Sequence, residues 1–499
     1  MKSLVKSLAA CFAAALPLAG ALAFEPFEQS AGQSSSSSGS SAPAPSGPIR
    51  FAEGRYELGR RTRALERAWM NCRDADRRSA AIPRVQTAVL GFFSGNAGVV
   101  AQSLDETAAA LRGQSPDAAD RWVAALSVTP ARALVDLREP ALDVTIATLY
   151  EVNAPRPALT LRLAVGKSAA MVRLTADTPL PHRVRVAFEP SKQDIDAALE
   201  VAVGTPGNPA RQSWRIGVSR VRDLDRRLTA LDAAAMALTK APAPDAFDLE
   251  RATLATRVSL LKALRERPPL ETDLAGAEIL RDTERLVEGL RATPPRSTLV
   301  GRAGETLLSA PTAKGPLPAR ALASPEAPVL VIAFHGAGGS ENMFFDGYGD
   351  GEIVRLCRAR GWALACPRVT SPLDDYGPVI ERLPALLAPK AKRIFIVGHS
   401  LGAATALVVA TKYADRLAGI APISGRAPGA TGALKSLPTF VSAGTKDFSR
   451  SGAEQLAERL RAQETPTTFK LYEAEHLLVV PDALPDIFAW MDNLAQRPR

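Results

Sequence analysis

The stretch Ile394–Ala404, with the sequence Ile-Phe-Ile-Val-Gly-His-Ser-Leu-Gly-Ala-Ala, constrains the fold of this chain more than any other segment. Its first four residues are apolar and mostly β-branched, which is typical of a buried strand, and the residues from 404 to 410 have the pattern of a helix. The Gly-x-Ser-x-Gly turn between them is a nucleophile elbow, a strained turn that holds a serine hydroxyl exposed beside a base. Gly398 and Gly402 lack the Cβ atoms that would collide where strand and helix approach each other.

The segments around this turn favour an α/β domain over residues 298–499. Val329–Phe334 is a continuous apolar run, as expected for a strand that is covered on both faces. The other predicted elements are a hairpin at 304–311 and 317–321, strands at 362–366, 418–423, 439–443 and 468–472, and helices at 351–360 and 452–462. Strands that alternate with helices predict a doubly wound, mostly parallel sheet.

A serine nucleophile needs a base, and the chain has four histidines. His182 lies far upstream, His335 precedes the elbow, and His399 adjoins Ser400 but should point elsewhere because consecutive side chains diverge. Only His476 follows the elbow, directly after the last predicted strand, where a loop can reach the serine. We therefore predict Ser400 as the nucleophile and His476 as its base.

The base in turn needs an acid that orients its imidazole ring. Between the serine and the histidine the only aspartates are Asp415 and Asp447. Asp415 falls near the end of the helix that follows the elbow, which is the wrong end for a site at the strand tips. Asp447 follows a strand with a turn at its C-terminal end, so we predict it as the acid. Glu473 and Glu475 are expected to be solvated neighbours of the histidine.

The charge that develops on a reacting carbonyl oxygen needs backbone N–H donors. One should be the amide of Leu401, directly after the nucleophile. The second should come from the run His335–Gly339, with Ala337 as the first candidate and Gly338 as the alternative. A phosphate-binding loop is the competing interpretation of this glycine-rich run, but no Lys-Ser/Thr pair follows it and no nucleotide fingerprint is complete.

In content, order and spacing, the motifs His335–Gly339 and Gly398–Gly402 together with Asp447 and His476 resemble the α/β-hydrolase superfamily. The resemblance covers about residues 298–499. It implies attack of the serine on a carbonyl, an acyl-enzyme, and hydrolysis by water without a cofactor.

Within that superfamily, the domain most resembles secreted serine esterases of the polyhydroxybutyrate-depolymerase, feruloyl-esterase and prolyl-oligopeptidase-like groups, partly through Ile420–Gly425. Residues 50–295 do not have the bladed repeats of prolyl oligopeptidases, which disfavours a peptidase. The expected function is therefore hydrolysis of small or polymeric carboxylic esters. The alternatives are an exported peptidase with the same triad, and a catalytically idle protein that binds an envelope polymer through residues 50–295.

Several residues near these motifs are candidates for contacts with the substrate. Phe344, Phe345 and Tyr348 follow the glycine-rich run and either line a pocket for the substrate or pack that run down. Arg426 is a candidate partner for a substrate carboxylate. Asp374-Asp375 is expected to be a solvated turn.

Residues 50–295 predict an accessory region that combines helices with antiparallel strands. Residues 50–124 have a helical pattern, 125–221 alternate as a small antiparallel β domain, and 222–295 predict a helical hairpin or bundle that Pro268-Pro269 interrupts. Within the β domain, strands are predicted at 142–150, 158–165, 183–188 and 214–221.

The first residues predict export from the cytoplasm. Residues 1–23 combine two lysines, an apolar core and a small-x-small cleavage site, as in a secretory signal peptide, with an uncleaved anchor as the alternative. Residues 24–48 are rich in Ser and Pro and predict a disordered linker. No other stretch of the sequence predicts a membrane span. The mature protein is expected in a periplasm or outside the cell.

Charge and cysteine content exclude some other classes of protein. The net charge is +9, but no basic run with interleaved aromatic residues favours nucleic-acid binding. Without residues 1–23 the chain keeps Cys72, Cys357 and Cys366, an odd number that argues against a disulfide framework. Two buried free thiols at 357 and 366 are favoured over a disulfide between them, and no spacing predicts a metal site.

Overall fold

The computed structural model describes residues 51–240, 245–372, 374–426, 429 and 431–497, so the predicted signal peptide (1–23) and linker (24–48) lie outside the described residues. The helices are α1 (Phe51–Asn71), α2 (Ala75–Phe93), α3 (Ala97–Leu111), α4 (Ala118–Ala125), α5 (Leu224–Lys240), α6 (Asp248–Glu266), α7 (Gly276–Arg291), α8 (Met343–Asp346), α9 (Tyr348–Arg360), α10 (Gly377–Leu387), α11 (Leu401–Tyr413), α12 (Arg450–Ala462) and α13 (Val479–Ala495). Short 3-10 turns occur at Asp245–Phe247, Ala414–Arg416 and Gly432–Leu434.

The strands fall into a β-rich region followed by one large sheet. The first eight are β1 (Leu126–Pro130), β2 (Leu134–Asp136), β3 (Ala141–Thr148), β4 (Leu159–Val165), β5 (Ser168–Leu174), β6 (His182–Ala187), β7 (Ile195–Thr205) and β8 (Asn208–Val221). The last eight are β9 (Gly304–Ala310), β10 (Leu317–Ala323), β11 (Val329–Phe334), β12 (Ala363–Pro367), β13 (Arg393–His399), β14 (Gly419–Ile423), β15 (Thr439–Gly444) and β16 (Thr467–Tyr472).

The C-terminal sheet has the strand order β9-β10-β12-β11-β13-β14-β15-β16. The β9/β10 hairpin joins β12 in antiparallel fashion, and all pairings from β12 to β16 are parallel. This confirms the predicted fold class. After β11 the chain continues to β12 on one side of it, and then crosses to β13 on the other side. The loops that follow β11 and β13 therefore diverge at a switch point, where open α/β sheets bind their ligands.

Both faces of this sheet are buried, because alternate side chains of each strand point to opposite sides. Leu330, Ile332 and Phe334 of β11 join a core with helices α5–α7 and α10–α12. Val329 and Val331 join a second core with α1–α3, α9 and α13. The N-terminal helices thus pack into the core of the sheet that carries the elbow.

The β-rich region forms two sheets, β1-β3-β6 and β2-β8-β7-β4-β5, whose inward side chains share one core. All pairings in them are antiparallel except that of β2 with β8. The strands predicted from 142, 158, 183 and 214 occur as β3, β4, β6 and the second half of β8. Strands β1, β2, β5 and β7 were not predicted from the sequence.

Helix α6 covers the outer edge of the large sheet. The Arg257 guanidinium donates to the carbonyl oxygen of Leu307 at 2.8 Å and to the hydroxyl of Thr306 at 2.8 Å, both on strand β9. The amide of Ser309 donates to the Thr253 hydroxyl at 3.0 Å. These bonds occupy polar groups of an edge strand that would otherwise be open to pairing with another chain.

Helices α1 and α2 are fastened to α13 by one polar cluster. The indole N–H of Trp69 donates to both carboxylate oxygens of Asp482 at 3.2 Å. The Arg78 guanidinium also binds this carboxylate and lies 3.9 Å from the centre of the Trp69 ring. Such a stacked cation on a buried ring stabilises the contact by about 1 kcal/mol or more.

Two other predictions concern thiols and membrane spans. Cys72, Cys357 and Cys366 are buried free thiols. None of the helices that the structure describes is long and apolar enough to cross a bilayer.

Candidate active site

The elbow places Ser400 between β13 and α11 in a strained conformation, with φ +55° and ψ −112°. Its amide is held by the carbonyl oxygen of Ile423 at 2.9 Å. A Cβ on Gly398 would lie 2.2 Å from the carbonyl oxygen of Gly402, and a Cβ on Gly402 would lie 1.9 Å from that of Phe334. Both positions therefore require glycine, and together they keep the serine at the tip of the turn.

The structure brings the three predicted residues of the triad into one hydrogen-bonded line. The Oγ of Ser400 lies 3.0 Å from Nε2 of His476, and Nδ1 of His476 lies 2.9 Å from Oδ1 of Asp447. The aspartate and the histidine are buried. Asp415 lies in a 3-10 turn after α11 and His182 begins β6, so neither belongs to this line.

Asp447 is surrounded by donors. Its Oδ1 accepts the amide of Ser449 at 2.7 Å and the hydroxyl of Ser449 at 2.8 Å, and its Oδ2 accepts the hydroxyl of Ser424. Burial alone would raise the pKa of this carboxyl, but the interaction with His476 and the hydrogen bonds outweigh it and hold the pKa well below its usual range. The aspartate is thus ionised and can stabilise an imidazolium.

The role of Ser424 was not predicted from the sequence. This serine lies at the end of β14 with φ +53°, a conformation that is uncommon for any residue except glycine. Its amide donates to the carbonyl oxygen of Ser442 at 2.8 Å, which aims the hydroxyl at the carboxylate. The local signal was a serine directly after a buried strand at the C-terminal edge of the sheet.

The loop Gly336–Gly339 after β11 offers free amides beside Ser400. The amide of Gly339 closes a turn onto the carbonyl oxygen of Gly336 at 3.1 Å. The amides of Ala337, Gly338 and Leu401 have no acceptor anywhere in the described ranges. The two predicted donors are therefore unoccupied, and so is the alternative at Gly338.

The buried side chain of His335 holds this loop through two hydrogen bonds. Its Nδ1 lies 2.8 Å from the carbonyl oxygen of Gly336, and its Nε2 accepts the amide of Val369 at 2.9 Å. Burial lowers the pKa of His335 to about 4, so the ring is neutral. His335 is thus a structural residue.

Glu66 of helix α1 binds the turn that carries Tyr348. The four residues Tyr348–Gly351 all have positive φ, from +46° to +84°, and their amides point into one concave turn. The Glu66 carboxylate occupies this turn and accepts the amide of Tyr348 at 3.0 Å. Burial raises the pKa of Glu66 to about 7, although the backbone hydrogen bonds of the turn act in the opposite direction.

A cavity of about 210 Å³ lies next to Ser400, His476 and the Gly336–Gly339 loop. Its opposite wall comes from helices α1, α2 and α3, so the N-terminal region covers the site. Tyr348 lines this cavity, whereas Phe344 and Phe345 are buried in the second core and do not. These two phenylalanines therefore lie outside the cavity, in the second core.

Two acidic groups that were expected to be solvated are buried. Glu475 is only 1% exposed, and its carboxylate accepts the amides of Leu477 at 2.9 Å and Leu478 at 2.7 Å, just before α13. Asp374 is 6% exposed and accepts the Thr370 hydroxyl at 2.6 Å. Both predictions were wrong, because each carboxylate caps local donors instead of facing water.

The other predicted neighbours behave differently. Glu473 is exposed, as predicted, and accepts the Thr445 hydroxyl at 2.8 Å. Asp375 is partly exposed and accepts the amide of Gly377 at 2.9 Å. Arg426 is exposed and does not line the cavity.

The strand order of the large sheet, the elbow after β13, and the acid and histidine loops after β15 and β16 define an α/β-hydrolase domain. The family comparison agrees: residues 368–484 match the dienelactone hydrolase family. This match supports a hydrolase. No group of three metal-ligating side chains occurs among the residues that the structure describes.

Solved structures of similar fold come from several organisms, and no curated protein matches the chain. An esterase from Pyrobaculum calidifontis has 17% identity over 40% of this chain and 87% of that chain, with a TM-score of 0.33. An S-formylglutathione hydrolase from Staphylococcus aureus has 16% identity over 39% and 99%, with a TM-score of 0.31. A dienelactone hydrolase from Anabaena variabilis has 20% identity over 38% and 95%, with a TM-score of 0.31.

Proposed function

We propose that this chain is an exported serine hydrolase that cleaves carboxylic esters through an acyl-enzyme. The observation that carries the proposal is the hydrogen-bonded line from Asp447 through His476 to Ser400, which ends beside the unoccupied amides of Leu401 and Ala337. A nucleophile, a base, an orienting acid and oxyanion donors are the groups that acyl transfer needs.

In the first half of the reaction, the Oγ of Ser400 attacks the ester carbonyl carbon while Nε2 of His476 takes the hydroxyl proton. Asp447 keeps the ring oriented and stabilises the imidazolium. The amides of Leu401 and Ala337 donate to the oxyanion of the tetrahedral intermediate, and each such donor accounts for about 100- to 1,000-fold in rate. The intermediate collapses, and the alcohol leaves with the proton from His476.

In the second half, water attacks the acyl-enzyme. His476 takes a proton from the water, and a second tetrahedral intermediate forms in the same oxyanion site. When it collapses, the carboxylic acid is released and Ser400 regains its proton from His476. No cofactor takes part in either half of the proposed reaction.

Several observations favour an ester over a peptide. The family match is to hydrolases named for a dienelactone, which is a cyclic ester. The accessory region has helices and two β sheets rather than a bladed array.

Export is proposed from the basic, apolar and small-residue pattern of residues 1–23.

The decisive experiment is labelling of the purified mature protein with a fluorophosphonate probe, followed by peptide mapping. Label confined to Ser400 is expected, together with hydrolysis of p-nitrophenyl esters that falls by about a million-fold in Ser400→Ala. Equal ester hydrolysis by this variant would refute the assignment. Faster cleavage of peptide anilides than of esters would favour a peptidase, and an unlabelled, inactive wild-type protein would favour a binding role.

Export has its own test. Cell fractionation of the full chain, with sequencing of the mature N-terminus, should give a periplasmic or secreted protein that begins at residue 24. A cytoplasmic protein that retains residues 1–23 would contradict this part of the proposal.

A further inference from the structure

The cavity beside Ser400 has two kinds of wall. Ser400, His476 and the glycine-rich loop form the reactive side, and helices α1–α3 form the other. Its volume of about 210 Å³ lies below the roughly 300–1,000 Å³ of sites for drug-sized ligands. Only a small part of a substrate fits between these walls.

The polar side chains on the cavity wall mostly bind one another. Glu271 accepts the Arg55 guanidinium at 2.8 Å, the Asn342 side-chain amide at 3.0 Å and the Ser340 hydroxyl. Arg55 also donates to the carbonyl oxygen of Gly338 at 3.1 Å. These groups fix the loop and are already engaged without a ligand.

The side chains that helices α1–α3 present to the cavity are mainly apolar, including Leu58, Val89, Phe92, Val100 and Leu104. The Phe92 ring lies directly on the loop, since a Cβ on Gly338 would come within 2.1 Å of its Cζ. A group bound to Ser400 that extends away from the loop therefore meets a hydrocarbon surface.

We propose that helices α1–α3 form the acyl-binding pocket of the enzyme and select esters with a short, uncharged, apolar acyl group. The inference rests on the proposed function, because Ser400 must carry the acyl group that the pocket holds. Burial of each added methylene then favours the transition state by about fourfold, until the cavity is full. Bulk at Val89 and Phe92 sets the chain length at which this gain stops.

One feature of the wall favours a different acyl group. Arg63 lines the cavity, and its guanidinium has no hydrogen-bond partner among the described residues. A carboxylate at the far end of the acyl chain would pair with this side chain. Apolar side chains form most of the wall, so the proposal names an apolar acyl group. A charged acyl group is an outcome of the test.

The experiment measures kcat/KM of the mature protein for p-nitrophenyl esters from acetyl to dodecanoyl. The wild-type value should rise about fourfold per methylene and then fall. Val89→Trp fills the cavity and should lower the ratio of hexanoyl to acetyl kcat/KM about tenfold or more. Phe92→Ala should move the optimum to a longer chain. Leu90→Ala is the matched control, because Leu90 lies on the same helix and is 50% exposed.

A flat series in the wild type, or a ratio that neither variant changes, would overturn the proposal. A preference for a hemisuccinate ester over the neutral ester of equal length would also overturn the proposal if Arg63→Gln abolished that preference. The acyl group would then be anionic. Fluorophosphonate labelling is run on every variant. Labelled protein with an unchanged chain-length profile means that only the pocket is misassigned, whereas unlabelled wild-type protein means that the nucleophile itself is.

Discussion

The hydroxyl oxygen of Tyr348 lies 2.6 Å from Nδ1 of His399 and 3.1 Å from the amide of Gly336, so it joins the glycine-rich loop to His399. Nε2 of His399 lies 2.9 Å from the carbonyl oxygen of His476, which can only accept, so Nε2 carries the ring proton. Nδ1 must then accept from Tyr348, whose oxygen accepts the amide of Gly336 at 3.1 Å. Burial lowers the pKa of His399 to about 3, so the ring stays neutral.

Tyr348→Phe should therefore weaken both stability and turnover. The change leaves the amide of Gly336 and Nδ1 of His399 without partners in a buried site. An unsatisfied buried polar group costs about 1–3 kcal/mol, and the free energy of unfolding should fall by that amount or more. The value of kcat should fall as the loop and His476 lose their common support, as measured by urea unfolding and ester kinetics.

Tyr472→Phe is the matched control for this prediction. Its hydroxyl donates to Asp486 at 2.7 Å, away from the elbow. The control should lose stability with little change in kcat. Equal kcat values for wild type and Tyr348→Phe would show that the loop does not depend on this hydrogen bond.

Glu66 should be a positioning residue, although it belongs to the N-terminal helix and touches no reacting atom. Glu66→Ala leaves the left-handed turn Tyr348–Gly351 without its acceptor, so the free energy of unfolding should fall by about 1–3 kcal/mol, since the buried amide of Tyr348 loses its partner. Activity should fall with it, because the turn carries Tyr348. Glu66→Gln should recover most of both, as its side-chain oxygen still accepts. An alanine variant with wild-type activity and stability would contradict this role.

Ser424→Ala should lower kcat/KM by about tenfold to a hundredfold, because a hydrogen bond to a charged group is worth about 1.5–3 kcal/mol. Without the hydroxyl, Asp447 loses a donor that keeps it ionised and fixed toward His476. Ser449→Ala is the comparison, since the amide of Ser449 still holds the carboxylate at 2.7 Å. Equal effects of the two substitutions would argue against a special role for Ser424.

The sequence allowed the proposed triad to be located because each of its members follows a recognisable strand. In a parallel sheet the carboxyl ends of the strands meet at one edge, so Ser400 after β13, Asp447 after β15 and His476 after β16 had to lie close together. The elbow glycines could be predicted from the Gly-x-Ser-x-Gly pattern. A local pattern specified each of these features.

The role of the N-terminal helices could not be predicted from the sequence. Glu66 and Phe92 act on residues more than 240 positions away, and no periodicity encodes a contact of that range. The alternation of the β region predicted its type but not the division into two sheets. Glu475 was misjudged because an acid beside the histidine was treated as solvated, although its carboxylate accepts the amides of Leu477 and Leu478.

The buried carboxyl of Glu475 should make part of the stability depend on pH. Burial raises its pKa to about 7, against the amides of Leu477 and Leu478, which lower it. The folded state therefore binds the proton more tightly than the unfolded chain, so this stabilisation is complete below about pH 4.5 and is lost as the pH rises through about 7. Its size is on the order of 3 kcal/mol.

Glu475→Gln should remove this dependence, so the difference in unfolding free energy between variant and wild type should shift in favour of the variant from pH 5 to pH 8. Subtracting the wild type at each pH removes the opposite contribution of the buried His335 and His399, whose lowered pKa values favour folding as the pH rises. Glu473→Gln, at an exposed position two residues away, should show a constant difference. Urea unfolding of the three proteins at both pH values checks the prediction, and parallel curves for Glu475→Gln and wild type would exclude a raised pKa at Glu475.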